Sequence, residues 1–161
     1  MTTLERNVNT KSISILEKAA EFHGHLGPFL VIGVRMGLIG LRELGIEKND
    51  GNLRIRAMLK DSVPFSCTID GIQVATNCTI GNRKLRFIDS PGIAAEFELP
   101  GSNVAVAVNL ATFNRLKREL LSKNVSPEDT QKLAWKVASM PEKELFIIRS
   151  KQTFSKCASS R

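Results

Sequence analysis

Lys84-Leu-Arg-Phe-Ile88, Ile93-Ala-Ala-Glu-Phe-Glu-Leu99 and Asn103-Val-Ala-Val-Ala-Val-Asn109 follow one another, parted by Ser90-Pro91-Gly92 and Pro100-Gly101-Ser102. Each run alternates or is rich in β-branched and aromatic residues, and each break is strong turn chemistry, so the stretch reads as three successive strands. A fourth strand precedes them at Leu53–Leu59, where apolar and basic residues alternate. Glu144–Arg149 reads as a last strand after Pro141.

Helices flank this strand-rich middle. Ile13, Ile15, Leu16, Ala19, Ala20 and Phe22 give helical spacing over Lys11 to Phe22, with Thr10 as N-cap. Gly24, Gly27 and Pro28 break that helix, and Pro28 opens a second one running to Leu44, stopped by Gly45. Its Gly33, Gly37 and Gly40 recur at near-helical spacing, which calls for close approach of another backbone. Pro64 precedes a helix from Cys67 to about Thr76. Two more follow the strands, from about Thr112 to Ser122 and from Ser126-Pro127 to near Met140. Helices on both sides of a strand-rich middle predict one α+β domain over residues 1–150, with 151–161 as a polar tail.

Composition sets the class. At 161 residues and 42% hydrophobic content the chain can bury a core without staples. Three cysteines cannot all pair within one molecule, and the start Met1-Thr-Thr-Leu-Glu-Arg-Asn lacks a basic, apolar leader, so a reduced, cytoplasmic protein is expected. The apolar stretch Leu26 to Leu41 contains Arg35 and is too short for a bilayer. A net charge of +7 invites nucleic acid, but the basic residues are scattered, tyrosine is absent and tryptophan occurs once. Base stacking needs interleaved aromatics, so a solvated basic surface is the better reading. No dinucleotide fingerprint, phosphate loop or Cys-x-x-Cys pair is present.

The soft, ionisable chemistry is concentrated in two segments. Both histidines lie in Glu21-Phe-His23-Gly-His25-Leu-Gly-Pro28, and two of three cysteines lie in Cys67-Thr-Ile-Asp70-Gly-Ile-Gln73 and Asn77-Cys78-Thr-Ile-Gly81. Imidazole and thiolate bind transition metals and do nucleophilic or redox work near neutral pH. On a helix, Cys67, Asp70 and Gln73 fall within about 120° of arc and can face one cleft. Cys67 at the helix N-terminus is expected to have a lowered thiol pKa. On an unbroken helix Cys78 would stand about 16 Å further along the axis, whereas two sulfurs on one zinc lie about 4 Å apart. A shared metal therefore needs the chain to reverse near Asn77, or only one cysteine binds. His23 and His25 project to one side if Gly24 places them in a loop. With Cys67, Cys78 or both they would form a site suited to a transition metal, zinc first. The plainer readings are a buried structural cysteine and a histidine pair capping a helix end.

Together these segments resemble the FmdE family, named for a component of formylmethanofuran dehydrogenase. Its patterns are Phe-His-Gly-His-x-Cys-Pro-Gly, Cys-x-x-Asp-Ala-Ile-Gln and Gly-Cys-Thr-x-Gly-Lys. Here they read Phe22-His-Gly-His-Leu-Gly-Pro-Phe29, Cys67-Thr-Ile-Asp-Gly-Ile-Gln73 and Asn77-Cys-Thr-Ile-Gly-Asn82, in the same order and spacing over roughly residues 12 to 110. The resemblance implies a thioredoxin-like α+β core with a mixed five-stranded sheet flanked by helices, a homodimer, and an association with a formylmethanofuran dehydrogenase complex. Many members add a C-terminal zinc finger. After the core this chain has only Cys157, so the resemblance is to the core domain. Gly27 replaces the family's cysteine, Phe29 a glycine, Gly71 an alanine and Asn82 a lysine.

Two function classes follow. One is a metal-binding accessory or sensor of one-carbon metabolism with ligands among His23, His25, Cys67 and Cys78. The other is an enzyme in which Cys67 is nucleophile or redox thiol, Asp70 and a histidine transfer protons, and Gln73 orients substrate. The absence of a complete triad or redox pair favours the first.

Overall fold

The computed structural model describes residues 9–48, 50–122 and 124–152. Six helices and five strands follow in the order α1 (Thr10–His23), α2 (Pro28–Leu44), β1 (Arg54–Leu59), α3 (Cys67–Thr76), β2 (Leu85–Asp89), β3 (Ala94–Leu99), β4 (Ser102–Val108), α4 (Leu110–Leu121), α5 (Pro127–Ser139), α6 (Glu142–Leu145) and β5 (Phe146–Gln152). The fold is α+β, as the strand and helix spacing predicts. No described helix is long and apolar enough to cross a membrane.

Local chemistry accounts for most boundaries. Asn9 caps α1, its side chain accepting from Ser12 N, so Thr10 is the first helical residue rather than the cap the spacing suggests. Gly27 and Pro28 open α2, and Gly45, left-handed at φ 68°, ends it. Asn77 takes the left-handed conformation (φ 57°) that closes α3 and turns the chain back. Ser126 caps α5 by accepting from Asp129 N. One expectation fails. Residues 142–145 form the short helix α6, so the last strand begins at Phe146 and takes in Lys151 and Gln152, the first residues of the stretch read as tail. Residues 153–161, including Cys157, lie outside the described residues.

The sheet runs β2-β1-β3-β4-β5, with β1 and β2 parallel and every other pair antiparallel. It is therefore the mixed five-stranded sheet that the family resemblance implies. The parallel pair requires a crossover, and α3 supplies it. One face carries Ile55, Ala57, Ala95, Phe97, Val104 and Val106, all buried, and α2 packs on that face against β3 and β4. Arg35 ties α2 to the end of α5, its Nη1 donating to Val137 O and Met140 O at 2.7 Å each. A cation there also suits the negative end of the α5 dipole.

The most extensive helix contact is α2 on α3, and the glycines explain how close it is. A Cβ on Gly33 would stand 2.0 Å from Thr68 O, and one on Gly71 would stand 2.2 Å from Leu30 O. A Cβ on Gly37 would lie 2.6 Å from that of Ala75, and one on Gly40 would meet the Phe97 ring at 2.4 Å. The expected close packing is thus found inside the chain, between α2 and α3 for three of these glycines and against the sheet for Gly40. This contact fixes where α3 begins, and with it the position of Cys67 relative to the loop before α2.

Candidate functional site

The end of α1, the 24–27 loop and the first two turns of α3 meet at one cleft. His23 is the last residue of α1, and Gly24 (φ 101°) closes that helix by donating its N–H to Ala20 O. The histidine is therefore spared capping duty. Its Nδ1 lies 2.7 Å from Asp70 Oδ2 on α3, with only 14% of the imidazole side chain exposed. With Nδ1 engaged, Nε2 is the nitrogen left for a ligand or a proton. His25 follows in the exposed loop, its ring centroid 4.8 Å from that of His23 and tilted by 43°. The loop thus brings the two imidazoles together, as Gly24 suggests.

Cys67 is the first residue of α3 and lines the same cleft, of about 340 Å³, with both histidines. Its environment reverses the expectation of an acidic thiol. The turn before α3 already uses the helix-end donors: Cys67 N bonds Pro64 O, Thr68 N bonds Phe65 O and Ile69 N bonds Ser66 O. Burial pushes the half-buried thiol above its ordinary range, and the Asp70 carboxylate pushes it further. A neutral thiol is the resting form at neutral pH.

Gln73 has both ends of its amide engaged. Nε2 reaches Asp70 Oδ1 at 3.4 Å, while Oε1 accepts from Ile80 N at 3.0 Å. It braces Asp70 against the loop after α3, and Asn82 closes that loop with bonds to Thr79, Lys84 and Asn77. Cys78 is placed elsewhere. It is 2% exposed within the core, its Sγ directed at Leu53 O at 3.8 Å, and it does not line the cleft. The chain does turn at Asn77, but the turn sends Cys78 inward rather than back to the histidines.

The rest of the cleft's floor and walls is mostly apolar. Phe29, Phe65 and Phe113 form a cluster of edge-on and tilted rings with centroids 5.1 to 6.3 Å apart, and Phe29 is its cleft-facing member. Val63, 80% exposed, and Leu121, 54% exposed, are lining residues of the mouth. Sequence reasoning misses these walls because they come from 29, 63 and 121, distant in the chain.

Among the described residues no three His, Cys, Asp or Glu side chains stand close enough to hold a metal ion as they are placed. The donors fit in kind, two imidazoles and a thiol around one cleft, but they are not assembled as a set. Gly27 bears on this. A Cβ there would lie 3.4 Å from His25 Nε2, so the cysteine of the family pattern would add a thiol beside that imidazole. This chain lacks it.

Two histidines and a thiol around one cleft, carried on a mixed five-stranded sheet, place the chain among small α+β proteins with soft donors at a helix-loop junction. The family described as "FmdE, Molybdenum formylmethanofuran dehydrogenase operon" matches residues 22–147, and the chain belongs to that family. It is 32% identical over 161 aligned residues to a "Probable S-adenosyl-L-methionine-binding protein" of Archaeoglobus fulgidus, covering 89% of this chain. The chain spans only 44% of that relative's length. In structure it resembles an FmdE-like protein of the tungsten formylmethanofuran dehydrogenase type from Syntrophus aciditrophicus, with a TM-score of 0.55 and 18% identity. That match covers 88% of this chain and 72% of the other, and it speaks for the fold.

Proposed function

We propose that this chain is a metal-binding accessory protein related to the FmdE component of formylmethanofuran dehydrogenase and serving one-carbon metabolism. His23, His25 and Cys67 are the ligands, and zinc is the preferred ion. The observation that carries this reading is the Asp70–His23 pair at 2.7 Å. A carboxylate on one imidazole nitrogen fixes the ring and raises the basicity of the other, the usual support of a metal-binding histidine. Closing the site requires the three side chains to swing together around the ion, which would then supply Lewis acidity and hold Cys67 as thiolate. Cys78 is left out of the ligand set.

The enzyme alternative is less well supported. Cys67 makes no hydrogen bond to either imidazole among the described residues, and burial and Asp70 keep its thiol protonated. A nucleophile needs a base in reach or a depressed pKa. The relative's name raises S-adenosyl-L-methionine as a ligand, but it belongs to a protein of which this chain matches less than half.

Metal analysis tests the reading. Zinc near one equivalent per chain is expected after mild purification, falling to a small fraction in Cys67→Ser and His23→Ala. Equal and negligible metal in all three would overturn it.

A second copy of the chain is the proposed partner, seated on the sheet face away from α2. Met58, Ile88, Ala94, Ala107 and Ile147 stand in register as an apolar row across all five strands. Ile88 and Ile147 are 48% and 46% exposed. On the same face β3 carries Glu96 and Glu98, while β5 carries Arg149 and Lys151. Glu96 is ion-paired with Arg56 of its own chain and Glu98 stands opposite Arg54, so two copies packed face to face about a two-fold axis along β4 would meet through the apolar row.

A further inference from the structure

Away from the histidine cleft, a recess of about 720 Å³ opens between the first half of α1, the second half of α2 and the end of α3. The glycine contact between α2 and α3 shapes its floor. Gly37 lets α2 approach α3 at Ala75, and the 1% exposed methyl group of that alanine is what α3 presents to the recess. Beside it α1 contributes the half-buried Ile15, and α2 contributes the half-buried Leu38 and the buried Leu41. These walls are aliphatic. The rim is charged: Lys11 and Lys18 come from α1, Glu47 and Lys48 from the loop after α2. Ile15 lies four residues after Lys11 and three before Lys18, so one face of α1 carries all three. The ion pairs that lysines make among the described residues are Lys132 with Glu128 and Lys136 with Glu119. The three lysines of the rim therefore have none there.

We propose that this recess binds an aliphatic monocarboxylate, with its alkyl chain on Ile15, Leu38, Leu41 and Ala75 and its carboxylate at the lysine rim. Small-molecule sites have volumes of about 300–1,000 Å³ and join apolar walls to a few polar groups, as this recess does. Charge sets the sign of the head: among the described lining residues three cations face one anion, Glu47. Spacing sets its size. Lys11 and Lys18 stand about 10.5 Å apart along the helix axis, so they do not converge on one multiply charged group. A single negative charge meets one lysine at a time, and a lysine is a point donor that needs no fork-shaped partner. The lysine stems add apolar surface beside the alkyl chain. The inference stands apart from the metal reading, because the recess and the histidine cleft have no described lining residue in common.

Four probes separate chain from charge: octanoate, butanoate, octan-1-ol and octylammonium, each kept below its micelle-forming concentration. Binding is followed by NMR titration of the isotope-labelled chain, read at the amides of Ile15, Leu38, Leu41 and Ala75. Octanoate is expected to bind about tenfold or more tighter than butanoate, because its longer chain buries more methylenes. It should bind about threefold tighter than octan-1-ol, the worth of a partly exposed ion pair, and octylammonium should be weakest of the eight-carbon probes. Lys11 and Lys18 are both exposed, so the double variant Lys11→Glu/Lys18→Glu changes the rim and leaves the core alone. In it octylammonium should overtake octanoate, while in the milder Lys11→Gln/Lys18→Gln octanoate should fall to the level of octan-1-ol. Octanoate and butanoate binding alike, octylammonium matching octanoate in the wild type, or an order unchanged in the double glutamate variant overturns the proposal. So does the absence of binding by every probe, or shifts that centre away from these four residues.

Discussion

Cys67 and Asp70 lie three residues apart on α3, close enough for the carboxylate to act on the thiol. Both that charge and burial favour the neutral thiol, so Cys67 should alkylate slowly at neutral pH. With iodoacetamide at about pH 7.5 its rate is expected to fall below that of the same cysteine in the urea-unfolded chain. It should climb about tenfold per pH unit until the pH passes the ordinary thiol range. Rapid alkylation at neutral pH in metal-free protein would contradict this and restore the catalytic reading. The linkage has a definite sign. Because the folded pKa is raised, the thiol's contribution to stability is complete below the unfolded thiol pKa. It is lost as pH rises through the folded value. Zinc binding instead releases the thiol proton, so zinc affinity should rise with pH over the same range. At this scale the sequence shows which residues carry chemistry and little about how they meet. His23 and Asp70 are 47 positions apart, and no local pattern encodes that bond. The thiol's acidity departs from expectation for a related reason, since the turn at 62–66 that occupies the helix-end donors gives no clear signal before α3.

Among the elements, the α2–α3 contact positions the site. Its glycines allow backbone-to-backbone approach, and a side chain at Gly37 has no space beside Ala75 and Thr76. Gly37→Leu should therefore lower the stability by about 1–3 kcal/mol or more, read as a drop in the urea midpoint. An unchanged midpoint would contradict the packing argument. The boundaries of these helices are legible because proline, glycine and asparagine mark them: Pro28 and Gly45 for α2, Asn77 for α3. The start of β5 is not legible. Glu142-Lys-Glu-Leu145 is too short to show a helical period, and it reads equally well as the polar approach to a strand. The cleft walls stay hidden for a different reason. Phe29, Val63 and Leu121 are ordinary apolar residues until α2, the 62–66 turn and α4 bring them to one opening.

At the scale of the whole molecule, one sheet face is covered by α2 and the other presents an apolar row that includes the exposed Ile88 and Ile147. Sedimentation velocity should show a dimer for wild type and a monomer for Ile147→Glu, with zinc content equal in the two. A wild-type monomer, or a dimer indifferent to Ile147→Glu, contradicts the proposed face. The α+β class is legible from the strand-rich middle and the helices around it. The strand order is not, because the β1–β2 pairing spans α3 and leaves no trace in local periodicity.

The claim that the account depends on most is that His23, His25 and Cys67 close around one soft metal ion. X-ray absorption at the zinc edge reads the ligand atoms directly. Wild-type protein loaded with one equivalent of zinc should show a single sulfur at about 2.3 Å beside nitrogen or oxygen neighbours at about 2.0–2.1 Å. That sulfur should vanish in Cys67→Ser and persist in Cys78→Ser. A shell of nitrogen and oxygen alone in the wild type, or a sulfur that survives Cys67→Ser, would contradict it.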